Sequence, residues 1–420
     1  MRTLLYNAGP IAHMGGGAWN EHEEQVFPAG MAIMIVDGQI ENIQDSCEVE
    51  MEFDINRDSS GTTSGIKLHD LEGKAVVPGL IDAHTHLLWG GDRSNEISLK
   101  RKGLSYREIA ARGGGIQATV RATRAASDDE LYRVGFMRLR NALRNGTTHL
   151  EAKSGYGLST KSELRLLAIM DSLNGRPDAP SIDPTWMGAH DIPSGVIQRE
   201  YVEELITDQL PAVREQGIAR SADVFCEEGW FSVDDTETIL QASRDAGLAL
   251  RMHIDEFVDG GGGDLAASLK VVTADHAYCT PIDQRMRMMN ANVMTGFLPG
   301  TPYSMGMPWP DMTEINEHKI PYTFATDFNP NCQTLSLPFV CSLMVQRCNV
   351  DPLDALRAVT VNAASTTPHP SGRRHGVVEA GGVANLNIVD SPYWEAMMMR
   401  PGSTPFCATV LNGEFIPIEH

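Results

Sequence analysis

His84 and His86 stand one residue apart at the close of the apolar run VVPGLIDAHTH, residues 76–86. Side chains two apart on an extended chain point the same way, so the two imidazoles are able to meet at one point. A bare HxH pair is just as often one packed and one solvated histidine. The rest of the chain repeats the pattern, however, with polar residues where apolar runs give out. Lys153 and Tyr156 fall in HLEAKSGYG and His190 ends PTWMGAH. His253 ends LALRMH, with Glu256 three residues on, and Asp275 and His276 end KVVTADH. Asp327 and Asn329 end YTFATDFN. Singly, each has an ordinary reading: a hydrogen-bonded structural histidine, a turn aspartate before Asn-Pro, a solvated helix start at Glu256.

Together they make an inventory for hydrolysis. Three of these histidines with Asp327 form a mixed nitrogen and oxygen donor set suited to zinc or ferrous iron. Such an ion lowers the pKa of bound water from about 15.7 to about 7. Asp327 is able both to touch the metal and to take the water's proton. Glu256 and His276 remain to relay a proton or polarise a carbonyl. The set fits cleavage of a C–N bond at an unsaturated or amide carbon. No GxxxxGK[ST] phosphate loop occurs, and Gly113–Gly115 and Gly260–Gly263 read as flexible rim loops.

These residues act together only if an architecture gathers strand ends into one circle. The middle of the chain alternates apolar strands with amphipathic helices. TTHLEAKSGYG precedes KSELRLLAIM, whose Leu164, Leu167 and Ala168 fall at i, i+3, i+4. PYTFATDFNP precedes DPLDALRAVTVNAA, where Asp351 is an N-cap and Pro352 the first helical residue. This alternation predicts a parallel sheet, and 420 residues suit a closed, TIM-like (β/α)8 barrel with chemistry at its strand ends. Both termini are instead β-rich. MAIMIVDGQIENI turns at Asp37-Gly38 and ATVLNGEFIPI at Asn412-Gly413, both strong hairpin signals. The expected division is a small β domain from residues 1–77 and 373–420 around a barrel of residues 78–372.

A formal charge of −21 argues against nucleic acid and against an anionic membrane surface as partners. Seven scattered cysteines without a CxxC argue against a disulfide framework or a zinc ribbon. No uncharged apolar run approaches 18 residues and no leader-like segment stands at the start, so a cytoplasmic location is expected.

The strings PGLIDAHTH, HIDE, ADH and ATDFNP resemble the amidohydrolase superfamily. Longer ones are similar, in the same order, to the imidazolonepropionases of histidine degradation: GGDRSNE, GLSYREIAARGGGIQATVRATRAAS, EAKSGYGL, MGAHDIP, DVFCEEG, LPGTPY and AVTVNAA. The resemblance implies a metal-carrying barrel with a β-sandwich made from both termini. It implies one divalent ion, Zn2+ or Fe2+, on His84, His86, His253 and Asp327. Arg93, Tyr106, Tyr156 and His190 match positions that hold the substrate's propionate and ring, and Asn329 matches a further binding position. Glu256 and His276 match positions near the scissile group. The implied reaction opens 4-imidazolone-5-propanoate, a small heterocyclic carboxylate, with water to give N-formimidoyl-L-glutamate, and the implied assembly is a homodimer. Arg93 suits an anion clamp because a guanidinium grips a carboxylate through two hydrogen bonds, its ordinary alternative being a pair with Glu96. One stretch departs from the family: after DFNP it usually has Gly and Ser or Thr, and here Asn331 and Cys332 follow. That leaves room for a related substrate, such as an oxo- or thioxo-imidazolidine propionate, or for deamination of another N-heterocycle.

Overall fold

Eight parallel strands follow one another in space in the order they occupy in the chain. They are β1 (Leu80–Asp82), β2 (Thr147–Lys153), β3 (Ser181–Ala189), β4 (Ser221–Cys226), β5 (Ala249–Ile254), β6 (Thr273–His276), β7 (Met294–Phe297) and β8 (Tyr322–Phe324). The computed structural model describes residues 1–15, 25–53, 55, 62–63, 65–104 and 106–418, without the side chains of 62, 63, 106, 107 and 110. Helices separate successive strands, among them Thr160–Leu173, Val233–Asp245, Gly262–Leu269 and Ile282–Asn290, and helix Leu337–Cys348 follows β8. The sheet closes just past the ends of β1 and β8. There Thr85 bridges Phe328, His86 N donates to Phe328 O at 2.9 Å, and Asp327 N donates to His84 O at 3.2 Å. Closure of the barrel is therefore also what brings His84, His86 and Asp327 together.

The apolar run that seemed one strand is two. Val76–Pro78 pairs antiparallel with Leu386–Val389 in a six-stranded sheet, and the barrel begins only at Leu80. Gly79 is the joint. A Cβ there would sit 2.4 Å from Thr148 Oγ1, so no larger residue passes between the two sheets without displacing β2.

The six-stranded sheet packs on a five-stranded one built from the N-terminal strands Arg2–Ala8, Met31–Val36, Gln39–Asp45, Thr62–Thr63 and Ile66–Asp70. Leu5, Ile33 and Ile35 from one sheet meet Leu386, Ile388 and Val410 from the other in a shared core. This is the sandwich that the two termini build. Its hairpins turn at Asp37-Gly38 (φ 50° and 78°) and Asn412-Gly413 (φ 49° and 83°), the double positive φ of a type I′ turn.

Helix Thr160–Leu173 differs in setting from the periodicity. Its buried ridge is Leu166, Leu167, Ile169, Met170 and Leu173, while Ala168 is exposed. The cause lies at the helix start. Glu163 turns inward and accepts the backbone N–H groups of Gly155, Gly157 and Leu158 at 3.0, 2.7 and 2.8 Å, which sets the rotation of the helix. Asp351 caps as its sequence indicates, accepting from Leu353 N at 2.8 Å with Pro352 at the first turn. All seven cysteines are free thiols, and no described helix is long and apolar enough to cross a membrane.

Candidate active site

Three imidazoles cluster at the seam. The ring centres of His84 and His86 lie 5.5 Å apart, those of His84 and His253 4.5 Å, and those of His86 and His253 5.6 Å. Asp327 Oδ1 stands 3.7 Å from Nε2 of both His84 and His86. Two of the three rings, His84 and His253, have a carboxylate behind the outer nitrogen. Asp275 Oδ2 meets His84 Nδ1 at 2.6 Å, and Asp223 Oδ1 meets His253 Nδ1 at 2.9 Å. A carboxylate on Nδ1 fixes the ring proton there and leaves a lone pair on Nε2. Those Nε2 atoms are buried and have no hydrogen-bond partner. Burial first, then the charges of Lys153 and the neighbouring imidazoles, hold His84 well below the usual histidine range. Burial does the same to His86, followed by His190 and His253. Buried imidazoles with unpartnered nitrogens, two of them facing the Asp327 carboxylate, are a donor set that fits a divalent metal.

Behind the donors runs a buried ionic chain, of which the sequence pointed only to Lys153. Lys153 Nζ donates to Asp223 Oδ2 at 2.7 Å and to Glu151 Oε1 at 2.9 Å, with all three side chains fully buried. Burial alone would raise Asp223, but His253 and Lys153 outweigh it and hold the carboxyl below its ordinary value. Its one signal in the sequence was a charge in the middle of the apolar strand SADVFC.

At the rim Asp255 (φ 46°), His276 (φ 65°), Ala277 (φ 51°) and Asp327 (φ 48°) have left-handed backbone. Outside glycine and asparagine-like residues this region is uncommon and costs about 1–2 kcal/mol. Asp327 is further held by Thr301, whose Oγ1 donates to Oδ2 at 2.7 Å, and burial pushes its carboxyl up. Asn329 Nδ2 donates to Asp327 O at 2.7 Å.

A cavity of about 500 Å³ opens over this cluster. It is lined by His86, Arg93, Tyr156, His190, His253, Glu256, His276, Asp327 and Asn329, with Phe225, Trp230 and Phe257 as an aromatic wall. Of the eleven residues given a metal, substrate or proton role from the sequence, ten thus meet in one place, His84 through the donor cluster and the others on the cavity wall. The eleventh, Tyr106, begins helix Tyr106–Ala111, and its side chain lies outside the described residues.

Glu256 is buried, not a solvated helix start. Its N–H donates to Glu227 Oε2 at 2.7 Å, and its Oε2 lies 3.8 Å from His276 Nε2. Burial, then the charges of Asp327 and Glu227, push its carboxyl well above the usual carboxylate range, which favours the protonated form. His190 Nδ1 donates to Gly155 O at 2.8 Å, and burial with His253 pushes the ring down to about 3. Its ring stacks on His86 at 4.8 Å, with Tyr156 5.1 Å away.

Arg93 satisfies both of its readings. Nε and Nη2 grip Glu96 at 2.9 and 2.8 Å, and the guanidinium still lines the cavity. Glu96 also accepts Gly115 N at 3.0 Å, so the first glycine run is tied to the same carboxylate. The second run is tethered too: Gly260 N and Gly262 N donate to Asp255 Oδ1 at 3.0 and 3.2 Å. Neither run is the loose loop its composition suggested. The departing stretch after Asn329 reaches the cavity through Asn331, whose Oδ1 accepts from Lys100 Nζ at 3.3 Å.

Comparison with known proteins gives a consistent picture. Residues 67–317 match the amidohydrolase family. An imidazolonepropionase of Haloarcula marismortui is 37% identical, the match covering 99% of this chain and 96% of that one. Another, of Symbiobacterium thermophilum, is 36% identical over 93% of this chain and 92% of its own. Among solved structures, an adenosine deaminase from Xanthomonas campestris with bound zinc superposes with a TM-score of 0.69, covering 99% of this chain and 93% of that one. At 14% identity that likeness is one of fold.

Proposed function

The chain belongs to the imidazolonepropionases of the amidohydrolase family, and from that premise we propose that it opens the ring of 4-imidazolone-5-propanoate with water. The product is N-formimidoyl-L-glutamate. The observation that carries this reading is the meeting of unpartnered, carboxylate-backed imidazoles with an arginine in one cavity.

His84, His86, His253 and Asp327 are the residues to hold one divalent cation, Zn2+ or Fe2+, both of which accept this donor set. Bound there, such a cation supplies a water molecule that ionises near neutral pH. The chain's own residues do the rest. Arg93, already oriented by Glu96, faces the substrate's carboxylate, with Tyr156, His190 and Asn329 around the ring. Tyr106 is assigned to the same group from its place in the family strings. Asp327 takes the proton lost by the attacking water. The water oxygen joins the ring carbonyl carbon, and the bond from that carbon to the ring nitrogen breaks. His276 donates an N–H to the carbonyl oxygen as negative charge develops on it. Glu256, protonated before the reaction, is positioned by Glu227 to pass its proton to the leaving nitrogen.

The test is direct. Freshly prepared imidazolonepropanoate should disappear faster than its spontaneous decay, with formimidoylglutamate accumulating in equal amount. A rate at background from metal-loaded protein rules the substrate out. Asn331 favours one second reading, hydrolysis of an oxo- or thioxo-imidazolidine propionate, because its side chain lies where the family has a small residue. Turnover of that compound with none of imidazolonepropanoate is the outcome that selects it.

A further inference from the structure

The opposite end of the barrel holds a second group of imidazoles that the reaction does not use. His149 lies on the same face of β2 as Glu151 and Lys153, nearer the strand's start. His369 and His375 come from the segment that leaves helix Val361–Thr366 for the sandwich. All three are buried, at 0%, 8% and 4% exposure.

Each ring has one nitrogen engaged and one without a partner. His149 Nδ1 meets Ser181 Oγ at 2.7 Å, His369 Nδ1 meets Ser371 Oγ at 2.8 Å, and His375 Nε2 donates to Thr367 O at 2.9 Å. His149 Nε2, His369 Nε2 and His375 Nδ1 are left buried and unpartnered. Leaving such atoms dry is costly, which points to an occupant.

We propose that His149, His369 and His375 form a second metal site, for a borderline-soft divalent cation such as zinc. Spacing is the first reason. A Zn–N bond of about 2.0–2.1 Å plus about 1.1 Å to the ring centre puts tetrahedral imidazole centroids about 5.2 Å apart. The observed separations are 5.2, 5.3 and 5.6 Å. The rim triangle of His84, His86 and His253 measures 4.5, 5.5 and 5.6 Å, no closer to that ideal. The floor nitrogens do not yet converge within 4.8 Å as those of His84, His86 and Asp327 do. Turning a ring about its Cβ–Cγ bond re-aims its nitrogens while barely moving its centre, and that torsion is soft in histidine. At His369 the ring proton must sit on Nδ1, where Ser371 Oγ accepts it. The Ser371 N–H contact to Nδ1 at 3.2 Å is given up, and any ring that turns also shifts its engaged nitrogen against Ser181, Ser371 or Thr367.

Chemistry chooses the ion. The nearby charges acting on these rings are the cations Arg220 and Arg373, and no carboxylate joins the three. Hard ions such as Mg2+ or Ca2+, which need oxygen ligands, do not fit, whereas neutral imidazoles suit zinc. A surface cavity of about 660 Å³ lined by His369 and His375 gives entry. Once bound, the ion staples β2 to the segment that runs into the sandwich. The competing occupant is a buried water bridging the rings.

The full-length protein, stripped with a chelator and titrated with zinc chloride, separates the two. Two zinc ions per chain are expected for the wild type, one for His149→Gln/His375→Gln, and one for His84→Gln. A single zinc in the wild type, or two retained by His149→Gln/His375→Gln, overturns the proposal in favour of water. Should the double variant fail to fold, anomalous scattering at the zinc edge from wild-type crystals decides. A peak among the three floor rings supports the site, and a peak at the rim alone overturns it.

Discussion

The rim of the barrel and the terminal sandwich solve opposite problems with the same backbone conformation. In the sandwich, Asp37-Gly38 and Asn412-Gly413 are types that adopt it readily and close ordinary hairpins, although Met14 and Glu72 adopt it as well. At the rim Asp255, His276, Ala277 and Asp327 are left-handed, and of these Ala277 is a type that nothing local favours in that state. Barrel closure and the hydrogen bonds of Thr301 and Asn329 impose it at Asp327. The rim keeps buried lone pairs on His84 and His253 without partners. Left-handed backbone in the sandwich thus serves mainly hairpin turns, whereas at the rim it stands beside buried imidazole nitrogens without partners.

The sharpest way to break that contrast is Asp327→Asn. Asparagine tolerates the φ of 48° and keeps the shape, but loses the charge and the proton acceptor. Turnover of imidazolonepropanoate should fall by about 10²–10⁴-fold while the melting temperature stays within a few degrees. A large loss of stability instead would mean the rim carries the fold as well as the chemistry. Next comes Asp275→Asn, which weakens the partner of His84 Nδ1 without emptying the site. Metal affinity measured against a competing chelator should drop about 10–100-fold. An unchanged affinity would show that the carboxylate behind the ring is idle.

Arg93→Lys keeps a cation but loses the two-pronged grip on Glu96 and the planar fork toward substrate. A KM increase of about tenfold, with kcat changing less, is expected from the loss of one charge-assisted contact. A fall in kcat alone would move Arg93 from binding to chemistry. The smallest effect on activity belongs to the sandwich. Gly413 has φ 83°, and a Cβ there would sit 3.0 Å from Gly38 Cα. Gly413→Ala should cost about 1–2 kcal/mol in a denaturant titration and leave kcat/KM untouched. A matching loss of turnover would tie the two regions together.

The same contrast explains what the sequence made legible. Asp-Gly and Asn-Gly announce their hairpins locally, and Asp351-Pro352 announces its helix start, because those signals act within a few residues. The donor residues were legible as types at strand ends, since a barrel leaves them few other places to point. Asp223 was not, because its partners His253 and Lys153 lie 30 and 70 residues away and meet it only across the sheet. The inward turn of Glu163 likewise depends on a loop folding back over the helix, so periodicity placed Ala168 on the wrong face. Gly79 reads as part of one strand until the crowding by Thr148 shows two sheets parting there.

One measurement bears most directly on the rim as a metal-dependent ring-opening site. Protein stripped of metal and assayed with fresh imidazolonepropanoate should open the ring no faster than the uncatalysed background, and zinc or ferrous iron should restore turnover. Undiminished turnover by the metal-free chain would contradict it.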